Sequence, residues 1–181
     1  MISLKALVSF LALSPVALAA PQPNYTDLCY TDITNIDTNV KALTEKIKGY
    51  NGGLVWALPQ IPLALQAAVA TASGGVHSSL LPPVLPVDDL LRLADHVNKT
   101  LAVDSPVAVE ALVNKASLYE QAGLKTPIHL ALKVMMALHL HFADNILDRV
   151  SADAPADKVN ILKGDIQGFT NALRKAIKAF E

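Results

Sequence analysis

The residues of this 181-residue chain best suited to chemistry are its histidines, its acids, one lysine set among apolar residues and a lone cysteine. The "HLH" of "PIHLALKVMMALHLHFADNILDRV" invites a metal reading. On a helix His139 and His141 stand about 200° apart, so they cannot share one ion. His141 falls instead on a stripe with Lys133, Asp144 and Asp148, the pattern of a solvated face. His139 lies amid Met135, Phe142 and Ile146. A buried imidazole there needs a hydrogen-bond partner, supplied by backbone, by another helix, or by the carboxylate of a fatty acid. Lys115, among Ala108, Ala111, Leu118, Tyr119 and Ala122, is a second carboxylate anchor or a snorkelling side chain.

Nucleophilic and phosphate chemistry have no foothold. There is no GxSxG elbow, no HExxH and no phosphate-cradling glycine loop. His77 sits beside serines in "GGVHSS", but adjacency is not a triad. Asp88 and Asp89 suit a helix N-terminus, and Cys29 lies on an apolar seam where it packs as a small hydrophobe. The expectation is a protein that is no enzyme, with no metal and no cofactor.

The elements that must position these residues read as helices. Cys29, Ile33, Ile36, Val40, Leu43, Ile47 and Tyr50 recur at alternating spacings of four and three, with Asp32, Asp37, Lys41 and Lys48 on other faces. "GYNGG" stops that helix. Val159, Leu162, Ile166, Phe169, Leu173, Ile177 and Phe180 form a matching stripe after Pro155. Between them, Leu90, Leu93, Val97 and Leu101 mark one helix. Ser105-Pro106 opens another that ends near Gly123, and Thr126-Pro127 opens the longest, to about Val150. No segment alternates like a strand, so the architecture expected is all-α, a single-domain bundle of five or six helices.

From Gly49 to Val87 the chain runs 39 residues without Asp, Glu, Lys or Arg. Leu54 to Ala72 has the length of a membrane span, but Pro59, Gln60, Pro62 and Gln66 interrupt it and basic flanks are missing, so no span is expected. As a helix it has a seam of Leu54, Leu58, Ile61, Leu65, Ala68, Val69 and Ala72, yet Leu63, Ala67 and Ala70 make it apolar nearly all round. Residues 73–87, "SGGVHSSLLPPVLPV", read as a loop with apolar Leu80, Leu81, Val84 and Leu85. It is either a packed connection or a movable flap that, with Trp56, touches lipid or a hydrophobic surface. On the longest helix, adjacent Met135 and Met136 suit an adaptable lining. Together these residues define a candidate apolar pocket of Leu58, Ile61, Leu65, Met135, Met136, Leu138 and Phe142.

The first residues, "MISLKALVSFLALSPVALAAPQP", have one basic residue, an apolar run and Ala17-Leu18-Ala19, a secretory signal with cleavage expected after Ala19. That leaves 20–181 as one domain. Fifteen basic and sixteen acidic residues give a net charge of −1 and no footprint for nucleic acid. Asn24-Tyr25-Thr26 and Asn98-Lys99-Thr100 are sequons that suit a secreted glycoprotein. The polar helical end, "RKAIKAFE", is not the tail of a GPI anchor.

With these features in place the chain resembles the fungal hydrophobic surface-binding protein A family, which includes cell-wall galactomannoproteins. The likeness is carried by a secretory signal followed by "DITNIDTNVKALTEKIKGYNGG", with "YNGG" its distinctive corner. The resemblance implies a helical bundle, secreted or held in the cell wall and commonly glycosylated, that adsorbs to hydrophobic surfaces and in some members encloses fatty acids. The reading is therefore a secreted protein taking long-chain fatty acid or another lipid in its interior, adsorbing to hydrophobic surfaces, or both. The alternative is a structural or antigenic mannoprotein that docks a secreted hydrolase on such surfaces.

Overall fold

The computed structural model describes residues 23–181, so the signal peptide expected at 1–19 lies outside the described residues. Among the described residues eight α-helices follow one another: α1 (Tyr25–Lys48), α2 (Leu54–Ala57), α3 (Ile61–Ser79), α4 (Val87–Lys99), α5 (Leu101–Asn114), α6 (Ala116–Gln121), α7 (Lys125–Leu147) and α8 (Ala156–Ala179). A 3-10 turn, Leu58–Gln60, joins α2 to α3. Helices α2 and α6 are single short turns, so the bundle is built from six long helices, and no strand occurs among the described residues.

Local sequence explains most of the boundaries. The Asn24 side chain caps α1 by accepting from the amides of Thr26 and Asp27, Asp27 lies in the first turn, and Lys46 and Lys48 lie in the last. After Gly49 the chain reverses through Gly52 and Gly53, whose φ angles of 101° and 85° fall in the region glycine reaches without steric cost. Pro155 precedes α8 and Pro127 sits in the first turn of α7.

Helix α1 is the axis: α3, α4 and α5 all pack on it. Being flanked on several sides, it buries more than its apolar seam. Asp32 and Asp37, expected on outward faces, are buried as well. The sequence assigned one sheltered stripe because an amphipathic period reports the dominant face, not the number of neighbours.

Two further expectations are corrected. The helix said to open at Ser105-Pro106 begins at Leu101, directly after a break at Thr100, and carries Pro106 inside it. Proline lacks the amide that would bond the Ala102 carbonyl, so α5 tolerates one missing rung near its start. The loop expected over 73–87 is mostly helix, since α3 continues to Ser79 and only residues 80–86 connect it to α4. Gly74 and Gly75 lie inside α3, where their role is close approach. A Cβ on Gly74 would stand 2.5 Å from Phe142 Cε1, and one on Gly75 2.8 Å from His141 Cδ2. The missing side chains let α7 cross α3 nearly in contact, and packing offsets the poor helix propensity of glycine.

The remaining connection is tied down. The Arg149 guanidinium donates to the carbonyls of Ser79 (2.9 Å), Leu81 (3.3 Å) and Asn145 (2.7 Å), while the Leu85 amide donates to the Arg149 carbonyl (2.8 Å). Leu81 and Leu85 are buried in the core, and Leu80 and Val84 are exposed. Half of the residues expected on a flap are thus core residues.

Candidate functional site

Thr71 Oγ1 meets Met135 Sδ, Gly74 meets Phe142, and the Asn145 amide donates to the Gly75 carbonyl and to Ser78 Oγ. Residue numbers rise together in this series, so α3 and α7 run parallel and are close through their C-terminal halves. Toward their N-termini the side chains enlarge, and Pro59 and Pro62 redirect the chain into α3. Residues from these N-terminal halves, with others from α1, α5 and α8, line a cavity of about 620 Å³.

The cavity is long. Its α7 wall runs from Pro127 to Ile146, roughly 28 Å at 1.5 Å per residue. The α1 wall runs from Ile33 to Ile47, and α5 and α8 close the remaining sides. Leu54, Leu58, Ile61, Leu65 and Val134 line this space, yet each is half or more exposed, Leu65 by 61%. That combination places the mouth between the N-terminal halves of α3 and α7. The far end, at Phe142 and Ile146, is buried.

Five of the seven residues predicted to line a pocket do so: Leu58, Ile61, Leu65, Met135 and Phe142. Met136 and Leu138 do not. Met136 packs with the second half of the core around Tyr50, Tyr119 and Phe180. Leu54, not assigned to the pocket in the sequence, lines the mouth. Trp56 is 74% exposed and lies outside the lining.

Of the two predicted anchors, His139 lines the cavity and Lys115 does not. Lys115 borders a shallow groove beside Lys48 and Glu110, because the break between α5 and α6 falls at that residue and turns it outward. The His139 Nε2 is 3.0 Å from Thr170 Oγ1 on α8, and its ring meets Phe169 edge-on. Burial holds its pKa below the usual histidine value, which favours a neutral ring. His77, set aside in the sequence, pairs its Nδ1 with Asp32 Oδ2 at 2.6 Å and bolts α3 to α1. Burial raises the Asp32 pKa, and the bond to His77 opposes that rise. Cys29 is fully buried with its pKa pushed up to about 12, first by burial, so it stays an unreactive thiol. Among the described residues no group of three or more His, Cys, Asp or Glu side chains is placed to hold a metal ion.

The polar part of the lining is small: Gln60, Thr71, Ser105, Tyr119, His139 and Asp165. Tyr119 donates its hydroxyl to Gln60 Oε1 and stacks on Tyr50 with centroids 4.3 Å apart. The Gln60 Nε2 and Ser105 Oγ atoms are buried with no partner. Sequence reasoning met Gln60 only as an interruption of an apolar run. Its isolation between two prolines in a charge-free stretch was the signal, and only the fold shows which way it faces.

Comparison with known proteins agrees with the all-α fold. The profile of the family described as hydrophobic surface binding protein A matches residues 27–148. The chain belongs to that family. Among solved structures it is similar to AFMP4P in complex with palmitic acid, with a TM-score of 0.77 at 18% identity over 86% of this chain and 99% of that one. It is also similar to ligand binding domain 1 of Penicillium marneffei MP1 protein complexed with arachidonic acids, with a TM-score of 0.75 at 20% identity over 87% and 99% of the two chains. Ligand binding domain 2 of the same protein, complexed with multiple arachidonic acids, gives 0.74 at 20% over 89% and 98%. No curated protein matched the sequence. At these identities the structural likeness establishes the shared all-α bundle.

Proposed function

We propose that this is a secreted, nonenzymatic protein that holds long-chain fatty-acyl ligands between α1, α3, α5, α7 and α8. The observation that carries the reading is the elongated cavity of about 620 Å³, lined almost wholly by carbon and reaching the surface at exposed Ile61, Leu65 and Val134 of α3 and α7. Its size falls in the range of small-molecule sites. Each buried methylene contributes on the order of 0.8 kcal/mol, less the cost of ordering and association. Relatives of the same fold were crystallised with palmitic and arachidonic acids, which supports the same class of ligand here. Titration of the delipidated secreted protein with palmitic acid should show saturable uptake. An Ala68→Trp variant, which fills the cavity from α3, should bind at least tenfold more weakly. Absence of saturable uptake by the parent protein overturns the reading.

A second activity, adsorption to hydrophobic surfaces, is favoured by the large apolar side chains turned outward at Val55, Trp56, Leu80 and Val84. None of the four lines the cavity. A variant carrying Trp56→Ser, Leu80→Ser and Val84→Ser should lose binding to hydrophobic beads while taking up fatty acid normally. Undiminished bead binding removes these residues from the adsorbing surface. Secretion brings the two sequons into use. Asn24 and Asn98 are both exposed, and the Asn24 cap uses only its Oδ1, which a glycan on the nitrogen leaves free. A mass decrease on enzymatic deglycosylation tests their occupancy.

A further inference from the structure

The cavity wall is apolar except at a few stations, and one of them is incomplete. Gln60 is 7% exposed and lies on the 3-10 turn at the mouth, between Leu58 and Ile61. Its Oε1 accepts from the Tyr119 hydroxyl, and its Nε2 has no partner. A buried donor left unsatisfied is costly, and most such groups in folded proteins are paired. Tyr119 is equally constrained: it is buried, stacked on Tyr50, and tilted against Phe180 with centroids 6.1 Å apart. Burial pushes its pKa up to about 12, so the phenol remains a proton donor. Two neutral donors therefore stand together where the cavity meets its mouth, one of them spare.

The chemistry of the lining narrows what completes this station. Among the described residues no lysine or arginine lines the cavity, and Asp165 is the one acidic side chain in the lining. A phosphate or sulfate head remains ionised and would lack a countercharge. A carboxyl group has two oxygen acceptors, and when desolvated it can take up a proton. It therefore fits a site built from an amide and a phenol.

We propose that Gln60, held at its Oε1 by the Tyr119 hydroxyl, forms the headgroup station of the cavity, donating from its spare Nε2 to a carboxyl oxygen of a long-chain fatty acid whose tail runs along α7 toward Phe142 and Ile146. The assignment rests on the fatty-acyl reading above and adds to it a direction: head at the mouth, tail at the closed end. A small rotation of the Gln60 amide opens its donor to the ligand. Ser105 is the rival station, since its Oγ also lacks a partner, but its hydroxyl sits on helix α5, where rotation lets it bond a carbonyl one turn back.

The test separates head from tail. Palmitic acid and the uncharged apolar fluorophore N-phenyl-1-naphthylamine are titrated into the delipidated full-length secreted protein and into Gln60→Met and Tyr119→Phe variants. Each variant keeps the shape of the side chain and removes its donor. Loss of one neutral hydrogen bond should weaken palmitic acid roughly three- to tenfold, while the fluorophore, which has no carboxyl, binds all three proteins alike. Palmitic acid binding that is unchanged in both variants overturns the headgroup assignment. So does a parallel loss of both ligands, because it shows a role in packing. Transfer of the acid-specific loss to a Ser105→Ala variant overturns it as well. A parent protein that binds neither ligand refutes the fatty-acyl reading itself, an outcome distinct from these.

Discussion

The two halves of α3 use the same apolar vocabulary for opposite ends. In the C-terminal half, Gly74, Gly75 and Ser78 are small and buried, and α7 lies against them with Phe142 over Gly74. In the N-terminal half, Ile61 and Leu65 are large, line the cavity, and remain more than half exposed. Side-chain size, not polarity, separates the halves. Where backbone can meet side chain the bundle closes, and where bulky residues face each other without interlocking it stays open. One helix is thus a hinge-side contact at one end and a doorpost at the other.

The comparison breaks most severely at the closed end. Phe142→Ala should lower unfolding free energy by about 3 kcal/mol or more, read by chemical denaturation. Next, Gly74→Ala gains helix propensity but overpacks Phe142. Net destabilisation of about 1 kcal/mol or more is expected. In the Phe142→Ala background the clash is gone and the same substitution should stabilise. Simple additivity in that double-mutant cycle would refute close approach as the role of Gly74. At the open end, Leu65→Ala should change stability by less than about 1 kcal/mol, because the side chain is already largely solvated. It should nonetheless weaken fatty-acid uptake several-fold. Equal stability losses at Leu65 and Phe142 would erase the distinction between the halves.

The smallest effect concerns pH. Burial lowers the pKa of His139, and burial likewise lowers that of His96. In the unfolded chain both titrate near the ordinary histidine value of 6.5, so below that pH the unfolded state binds more protons. Stability should then fall as pH drops through 6.5 and continue falling until the folded-state values are passed. Burial raises the carboxyl pKa of Asp32 and Asp37, which act in the opposite sense at lower pH, above the ordinary aspartate value of 3.8, where the folded state is the one that binds more protons. Replacing His139 by glutamine should flatten the loss that begins near pH 6.5. An unchanged slope across that range would show that His139 is not held neutral by its surroundings.

Much of the fold was legible because it is local. The α1 and α8 seams, the double-glycine corner and the proline-marked starts of α7 and α8 are all set by spacing and backbone preference within a few residues. The all-α class follows from those same periods. The apolar character of the interior was legible too, since a helix that is hydrophobic nearly all round must face something other than water on several sides. Glycines and a proline misled where their role was long-range: Gly74 and Gly75 serve a partner helix 67 or so positions away, and Pro106 is accommodated inside α5.

What the tertiary structure alone decided is which apolar residues meet each other and which meet empty space. Leu85 and Val84 are neighbours of similar type, yet Arg149 ties the backbone so that Leu85 is buried and Val84 is exposed. Met135 and Met136 both pack against the core around Tyr119, but only Met135 also lines the cavity. Gln60, one glutamine in a long uncharged run, becomes a buried donor without a partner only because Tyr119 lies opposite its carbonyl oxygen. Periodicity determines that a side chain is sheltered. Whether that shelter is packed protein or an open cavity depends on how closely two helices distant in sequence can approach, and the volumes at their crossing decide that distance.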